Sequence, residues 1–216
     1  MIGRRAASPA LRWQGPLRDS LHNARLLTEL LQADAPRRVG VLGCHAGAGA
    51  STVALNLAGM LAERTDTPVW LLEAELRKPV LAHWLGLKPG GFNRLVQDDT
   101  AGWDECAEQG GAGGPKVLTA SAVDPALPLL RQAERRLQAP PEGRLVLDLP
   151  PLLERPDASL LLPALDGVVL VLDAQDTRWE VAREARQRIE AAGARLIGAV
   201  LNKKLQPIPR WLYRLL

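Results

Sequence analysis

Six short runs of this chain are apolar almost throughout: RVGVLG (Arg38–Gly43), PVWLLE (Pro68–Glu73), KVLTA (Lys116–Ala120), RLVLDL (Arg144–Leu149), GVVLVLDA (Gly167–Ala174) and RLIGAVLN (Arg195–Asn202). A strand that shows no polar face is buried on both sides, which is the pattern of a parallel sheet covered by helices. Between the runs lie turns and stretches with apolar residues at helical spacing, over Ser51–Arg64, Ala126–Leu137 and Thr177–Ala192. A further such stretch, PLRDSLHNARLLTELLQAD, places Leu17, Leu21, Leu26, Leu27, Leu30 and Leu31 on one face, and DAPRR ends it. The alternation predicts an α/β fold with a doubly wound, mainly parallel sheet and helices on both faces. A single domain is expected over residues 16–205, after a flexible basic tail at 1–15 and before an amphipathic segment at 206–216. The segment QGGAGGPK (Gln109–Lys116) reads as a flexible surface loop, and Trp70 as a buried strand residue capped from the side by Trp84 and Trp103.

Composition narrows the picture only a little. The chain has 216 residues, 47% hydrophobic and 24% charged, enough for a core without staples. Two cysteines, Cys44 and Cys106, make no disulfide framework and match no zinc spacing with the three histidines. No apolar run reaches the roughly 18 residues of a membrane span, so the expectation is a cytoplasmic chain, at most peripheral at the inner face of the cell membrane. The net charge of +3 is concentrated at the two ends. Cationic ends suit an acidic partner or an anionic membrane surface, and no recognition motif supports a nucleic acid partner. In IPRWLYRLL, Trp211, Leu212, Leu215 and Leu216 lie beside Arg210 and Arg214, a composition suited to a membrane interface, to a partner's groove, or to packing on the chain's own sheet.

The chemistry gathers after the first strand. In GVLGCHAGAGAST a glycine-rich turn runs from a strand into a helix. Glycines let backbone N–H groups point inward, and the positive end of the helix dipole adds to the attraction for phosphate. Gly47, Ala48, Gly49, Ala50, Ser51 and Thr52 are therefore the candidate cradle for ATP or ADP, with Ser51 a magnesium ligand. A working P-loop has lysine before the hydroxyl residue, and here that residue is Ala50. The competing reading is a turn that closes on the sheet and binds nothing.

Two later segments, VWLLEAELRKP and RLVLDLPPLLERPDASLLLPALDGVVLVLDA, together with the loop resemble the bacterial tyrosine autokinases of capsule and exopolysaccharide export, relatives of the MinD/ParA P-loop ATPases. GLKPGGFNRLV and GARLIGAVLNKK extend the resemblance from Asp19 to Asn202. It implies ATP or ADP with magnesium as cofactor, carboxylates at Glu73, Glu75 and Asp148 as candidate catalytic groups, Asp148 as a second magnesium ligand, and Asn202 near the nucleotide base. It also implies self-association through the helix carrying Asp19, His22 and Arg25, and a membrane-embedded co-polymerase or synthase subunit as partner.

The departures set the functional expectation. Ala50 stands in place of lysine, Glu73 and Glu75 stand where the family has aspartates, and Tyr213 is the only tyrosine. Glutamate keeps the charge but lengthens the reach, which matters in a near-octahedral magnesium shell. The resemblance thus implies a catalytically degenerate, kinase-like subunit that regulates exopolysaccharide biosynthesis or export through protein contacts. The alternative is an active tyrosine kinase or ATPase with a relocated cation, for which Lys78 in ELRKP is the candidate.

Overall fold

The structure, a computed structural model, describes residues 29–32, 34–124 and 126–204. The expected tail, the helix bearing Asp19, His22 and Arg25, and the segment with Trp211, Leu212, Leu215 and Leu216 lie outside the described residues.

The predicted strands form one sheet. They are β1 (Arg38–Gly43), β2 (Val69–Glu73), β4 (Lys116–Leu118), β5 (Arg144–Asp148), β6 (Gly167–Asp173) and β7 (Leu196–Asn202), with β3 (Glu108–Gln109) added at one edge. The order is β3-β4-β2-β5-β1-β6-β7, parallel except for β3. The expected flexible loop is thus a hairpin whose ends pair, Gln109 opposite Lys116. Within it the Gln109 side-chain amide donates to the carbonyls of Gly111 and Gly114.

Strand alternation sorts the core into two layers. Val39, Val41, Val69, Leu71, Val146, Val169 and Val171 pack with the buried face of α1 (Ala50–Ala62). Their neighbours Leu42, Trp70, Leu72, Leu145, Leu147, Val168 and Leu170 face the other layer. That layer holds α3 (Gly91–Gln97), α5 (Leu127–Leu137), α6 (Trp179–Ala191) and a 3₁₀ helix over Pro156–Ala164. Two short helices, α2 (Leu81–Leu85) and α4 (Trp103–Cys106), lie between these elements. Trp103 packs edge-on against Trp70 with ring centroids 5.9 Å apart, as expected, whereas Trp84 is 42% exposed and stands elsewhere.

One clamp fixes the start of the central strand. Asp166 accepts the backbone N–H groups of Arg37 and Arg38 at 3.0 and 2.8 Å, and its other oxygen accepts from Arg38 Nε at 3.1 Å. With β1 held between β5 and β6, the loop leaving its C-terminal end opens at the point where strand order reverses. In open α/β sheets that is where ligands bind.

Candidate functional site

The loop between β1 and α1 owes its shape to glycine. Gly47 and Gly49 have φ of 81° and 95°, a region that side chains with Cβ rarely enter. A Cβ on Gly49 would also lie 2.1 Å from Nδ2 of Asn202. That amide donates to the carbonyl of Ala48 at 2.9 Å, so the end of β7 holds the loop from above. His45 braces the other side, with Nδ1 3.0 Å from the carbonyl of Ala46 and Nε2 3.0 Å from the hydroxyl of Thr177. Cys44 beside it is fully buried, and burial pushes its thiol up to about 11, so it stays protonated and is no nucleophile at neutral pH.

The N-terminus of α1 is left open. No side chain caps it and its first turn holds no acidic residue. Its free N–H groups and the helix dipole face a cavity of about 550 Å³. Every predicted cradle residue, Gly47, Ala48, Gly49, Ala50, Ser51 and Thr52, lines that cavity, as do Asn202, Glu75 and Lys78.

The carboxylates part company. Glu73 and Asp148 are register neighbours at the ends of β2 and β5, and both are fully buried. Glu73 does not line the cavity. One of its oxygens accepts the N–H groups of Val80 and Leu81 at 2.5 and 2.7 Å, and the other accepts that of Ala120 at 2.9 Å. Burial raises its pKa and the three donors pull it back, with burial ahead. Glu73 therefore ties the start of α2 to the end of β4. Glu75 faces the cavity, but one oxygen accepts the N–H groups of Arg77 and Lys78 at 2.9 and 3.1 Å.

Asp148 is the opposite case. Neither carboxylate oxygen has a hydrogen-bond partner, and burial pushes the group up to about 8. The Ser51 hydroxyl faces it closely enough to pull that value down, though not at hydrogen-bonding distance and angle, while Glu73 and Glu75 push it further up. A buried carboxyl without a partner keeps its proton at neutral pH unless a cation takes the proton's place. Among the described residues no group of three or more His, Cys, Asp or Glu side chains is placed to hold a metal ion by itself. These two groups suit an ion that arrives with most of its ligands, as magnesium does with phosphate.

Sequence reasoning missed part of the rim. Glu154 and Arg155, from the loop after β5, line the cavity together with Trp84 and Lys203. The available signal was topological: a loop leaving the C-terminal end of a strand next to β1 has to cross the site. Glu154 places one oxygen 2.6 Å from the N–H of Ala46, within the glycine-rich loop. Arg155 Nη1 lies 3.9 Å from the Glu75 carboxylate, and Lys203 is paired with Asp173 at 2.8 Å.

An open helix N-terminus on a glycine loop at the switch point of a parallel sheet defines a P-loop NTPase-like fold of the MinD type. The chain has a TM-score of 0.63 with MinD complexed with Mg-ADP from Pyrococcus horikoshii, at 17% identity, covering 82% of this chain and 76% of that one. No family model matches the chain. The kinase domain of VpsO is 30% identical, with a TM-score of 0.74, covering 84% of this chain and 93% of that domain. A tyrosine-protein kinase of Bacillus subtilis strain 168, YwqD, is 28% identical over 165 residues, 73% of this chain and 68% of that protein. The chain belongs to the family of bacterial tyrosine kinase domains within the MinD/ParA-like P-loop proteins. No helix among the described residues is long and apolar enough to cross a membrane.

Proposed function

We propose that this chain is a catalytically degenerate member of its family, a cytoplasmic subunit that regulates exopolysaccharide biosynthesis or export, of capsule or cellulose type, through contacts with a membrane co-polymerase or synthase subunit. The observation that carries the reading is a pair of losses at one site. Ala50 offers a methyl group where a P-loop has its lysine, and Glu73 spends its carboxylate on three backbone N–H groups. Phosphoryl transfer rests on positioning and on neutralising charge at the outer phosphate, so these losses fall on the chemical step.

Binding suffers less than catalysis. The backbone cradle remains, and Ser51 with Asp148 would hold magnesium, which would supply positive charge against the phosphates. A lost charge-assisted contact is worth about 1.5–3 kcal/mol, or about one to two decades of affinity. ADP or ATP with magnesium is therefore a weak ligand in this reading. VpsO and YwqD are named as a kinase domain and a tyrosine-protein kinase, and MinD is complexed with Mg-ADP. Those relatives support the choice of ligand.

The test is ATP turnover with magnesium in the purified chain and in Ala50→Lys. The expected result is no turnover in the parent chain, with nucleotide affinity rising at least about tenfold on restoring the lysine. Turnover in the parent chain that disappears in Asp148→Ala overturns the reading and favours an active enzyme with relocated cations.

A further inference from the structure

The loop after β5 carries two adjacent residues of opposite charge into the phosphate cradle, and nothing in the degenerate-kinase reading uses them. The loop is tied to β1 at its start and closed on itself by a turn further along. Leu149 N–H donates to the Val41 carbonyl at 2.9 Å, Leu152 N–H to the Gly43 carbonyl at 3.2 Å, and Arg155 N–H to the Pro151 carbonyl at 2.9 Å. Its position over the loop of β1 is therefore set by backbone bonds, independent of any ligand.

Glu154 brings a carboxylate to the backbone of the glycine-rich loop. Its carboxylate takes the N–H of Ala46 at 2.6 Å although the residue is exposed. Arg155 is the contrasting member. Its side chain is 17% exposed, and its ion pair with Glu75 is 3.9 Å long. The Glu75 oxygen facing it already accepts two backbone N–H groups. A guanidinium has five donors in a planar fork that fits phosphate in a bidentate manner, and this one is loosely engaged. The other nearby cations are less suited: Lys203 is committed to Asp173, and Lys78 is exposed. Beneath the same cradle, the fully buried and unpartnered Asp148 independently marks the place as built for a ligand that brings a cation with its phosphates.

We propose that Glu154 and Arg155 form an oligophosphate-binding arm in which Arg155 supplies the positive charge absent at position 50, while the Glu154 carboxylate occupies the Ala46 N–H until a ligand phosphate takes its place. The ligand class is a magnesium-bound nucleoside di- or triphosphate. This deepens the proposed function, since it rests on the cradle still accepting phosphate. The exchange breaks and forms only hydrogen bonds and an ion pair. Arg155 turns from Glu75 to the phosphate, and Glu154 is released to water.

The test is calorimetric titration of the purified full chain with Mg·ADP and Mg·ATP, using Arg155→Gln, Arg155→Lys, Glu154→Gln and Ala50→Lys, with thermal melting to verify folding. Arg155→Gln is expected to weaken binding about tenfold to a hundredfold, with Arg155→Lys in between. Glu154→Gln is expected to tighten it severalfold by removing a competing anion. Arg186→Gln, an equal loss of charge on the exposed face of α6, leaves affinity within about twofold. A folded Arg155→Gln chain that binds as tightly as the parent overturns the proposal. A parent chain that binds only after Ala50→Lys keeps the cradle and overturns the arm. If Ala50→Lys also binds nothing, the cradle reading and the arm both fail.

Discussion

Asp148 makes the sharpest test of how this site is built. Its carboxyl sits at about 8 against an ordinary 3.8, because burial strips its charge of water and no donor replaces it. An acid whose pKa is raised in the folded state stabilises the fold as long as it stays protonated. The contribution is present in full below 3.8, declines as pH rises, and is gone above about 8. A tenfold change in proton affinity corresponds to about 1.4 kcal/mol, so a rise from 3.8 to about 8 sets a ceiling of about 5–6 kcal/mol. Water entry and local relaxation reduce such figures in real proteins, and about 2–4 kcal/mol is expected across the window.

Asp148→Asn removes the titration without removing the shape. The buried amide carries its own cost of about 1–3 kcal/mol, but that cost does not vary with pH. The diagnostic is therefore the difference in slope. Urea unfolding in metal-free buffer at pH values from 4 to 8 should show the parent chain losing stability relative to Asp148→Asn as pH rises. Adding magnesium with ADP at the upper end should stabilise the parent chain and leave the variant nearly unmoved. Parallel stability curves for the two proteins would refute the reasoning, because they would mean the carboxylate is solvated or partnered in solution.

Two further changes probe the frame around that group. Glu73→Ala orphans the N–H groups of Val80, Leu81 and Ala120, and is expected to cost about 3–5 kcal/mol in urea unfolding, with Glu73→Gln recovering part through its single acceptor oxygen. A loss below about 1 kcal/mol would show that those amides find other partners. Gly49→Ala forces a Cβ into a φ of 95° and against Asn202, so a drop of about 1–3 kcal/mol is expected by thermal melting. Adding Asn202→Ala should return some of that loss, and no recovery would place all of the strain in the backbone.

The sheet was legible because β1, β2, β5 and β6 are long and apolar enough to announce burial on both faces. The edge strand β7 reads the same way in sequence, yet leaves Ala199 and Leu201 exposed because nothing pairs beyond it among the described residues. β3 has two residues, too few to show any alternation, and it pairs only because Glu108 and Gln109 meet Val117 and Lys116 across a glycine turn. The 3₁₀ helix escaped for a different reason. Ala158, Leu161, Leu162 and Ala164 are all buried, and prolines lie at its start and inside it, so no amphipathic period survives to be read. For the site, the glycine loop was local and could be seen, and its residues do line one cavity. The fate of Glu73 was not visible, because two of its donors lie seven and eight positions away, where the chain turns back into α2, and the third lies 47 away and meets it only when β2 pairs with β4. Arg155 and Glu154 were hidden in the same way, since their neighbours Glu75 and Ala46 belong to other strand ends.

The strand ends present carboxylates to one region, and their partners decide what each can do. Glu73 at the end of β2 is consumed by amides, Asp173 at the end of β6 by Lys203, and Glu75 by two amides and a long contact with Arg155. Among these four, Asp148 alone lacks a partner. The loop beside it has the complementary deficit, an open helix end that has lost its lysine and borrows a carboxylate from Glu154. A magnesium-bound phosphate would relieve both deficits at once, a cation for Asp148 and an anion for the loop. Nothing in that exchange calls for a second carboxylate to activate an attacking group. Under the proposed function, the site keeps its reason to bind and has given up the groups that would make binding productive.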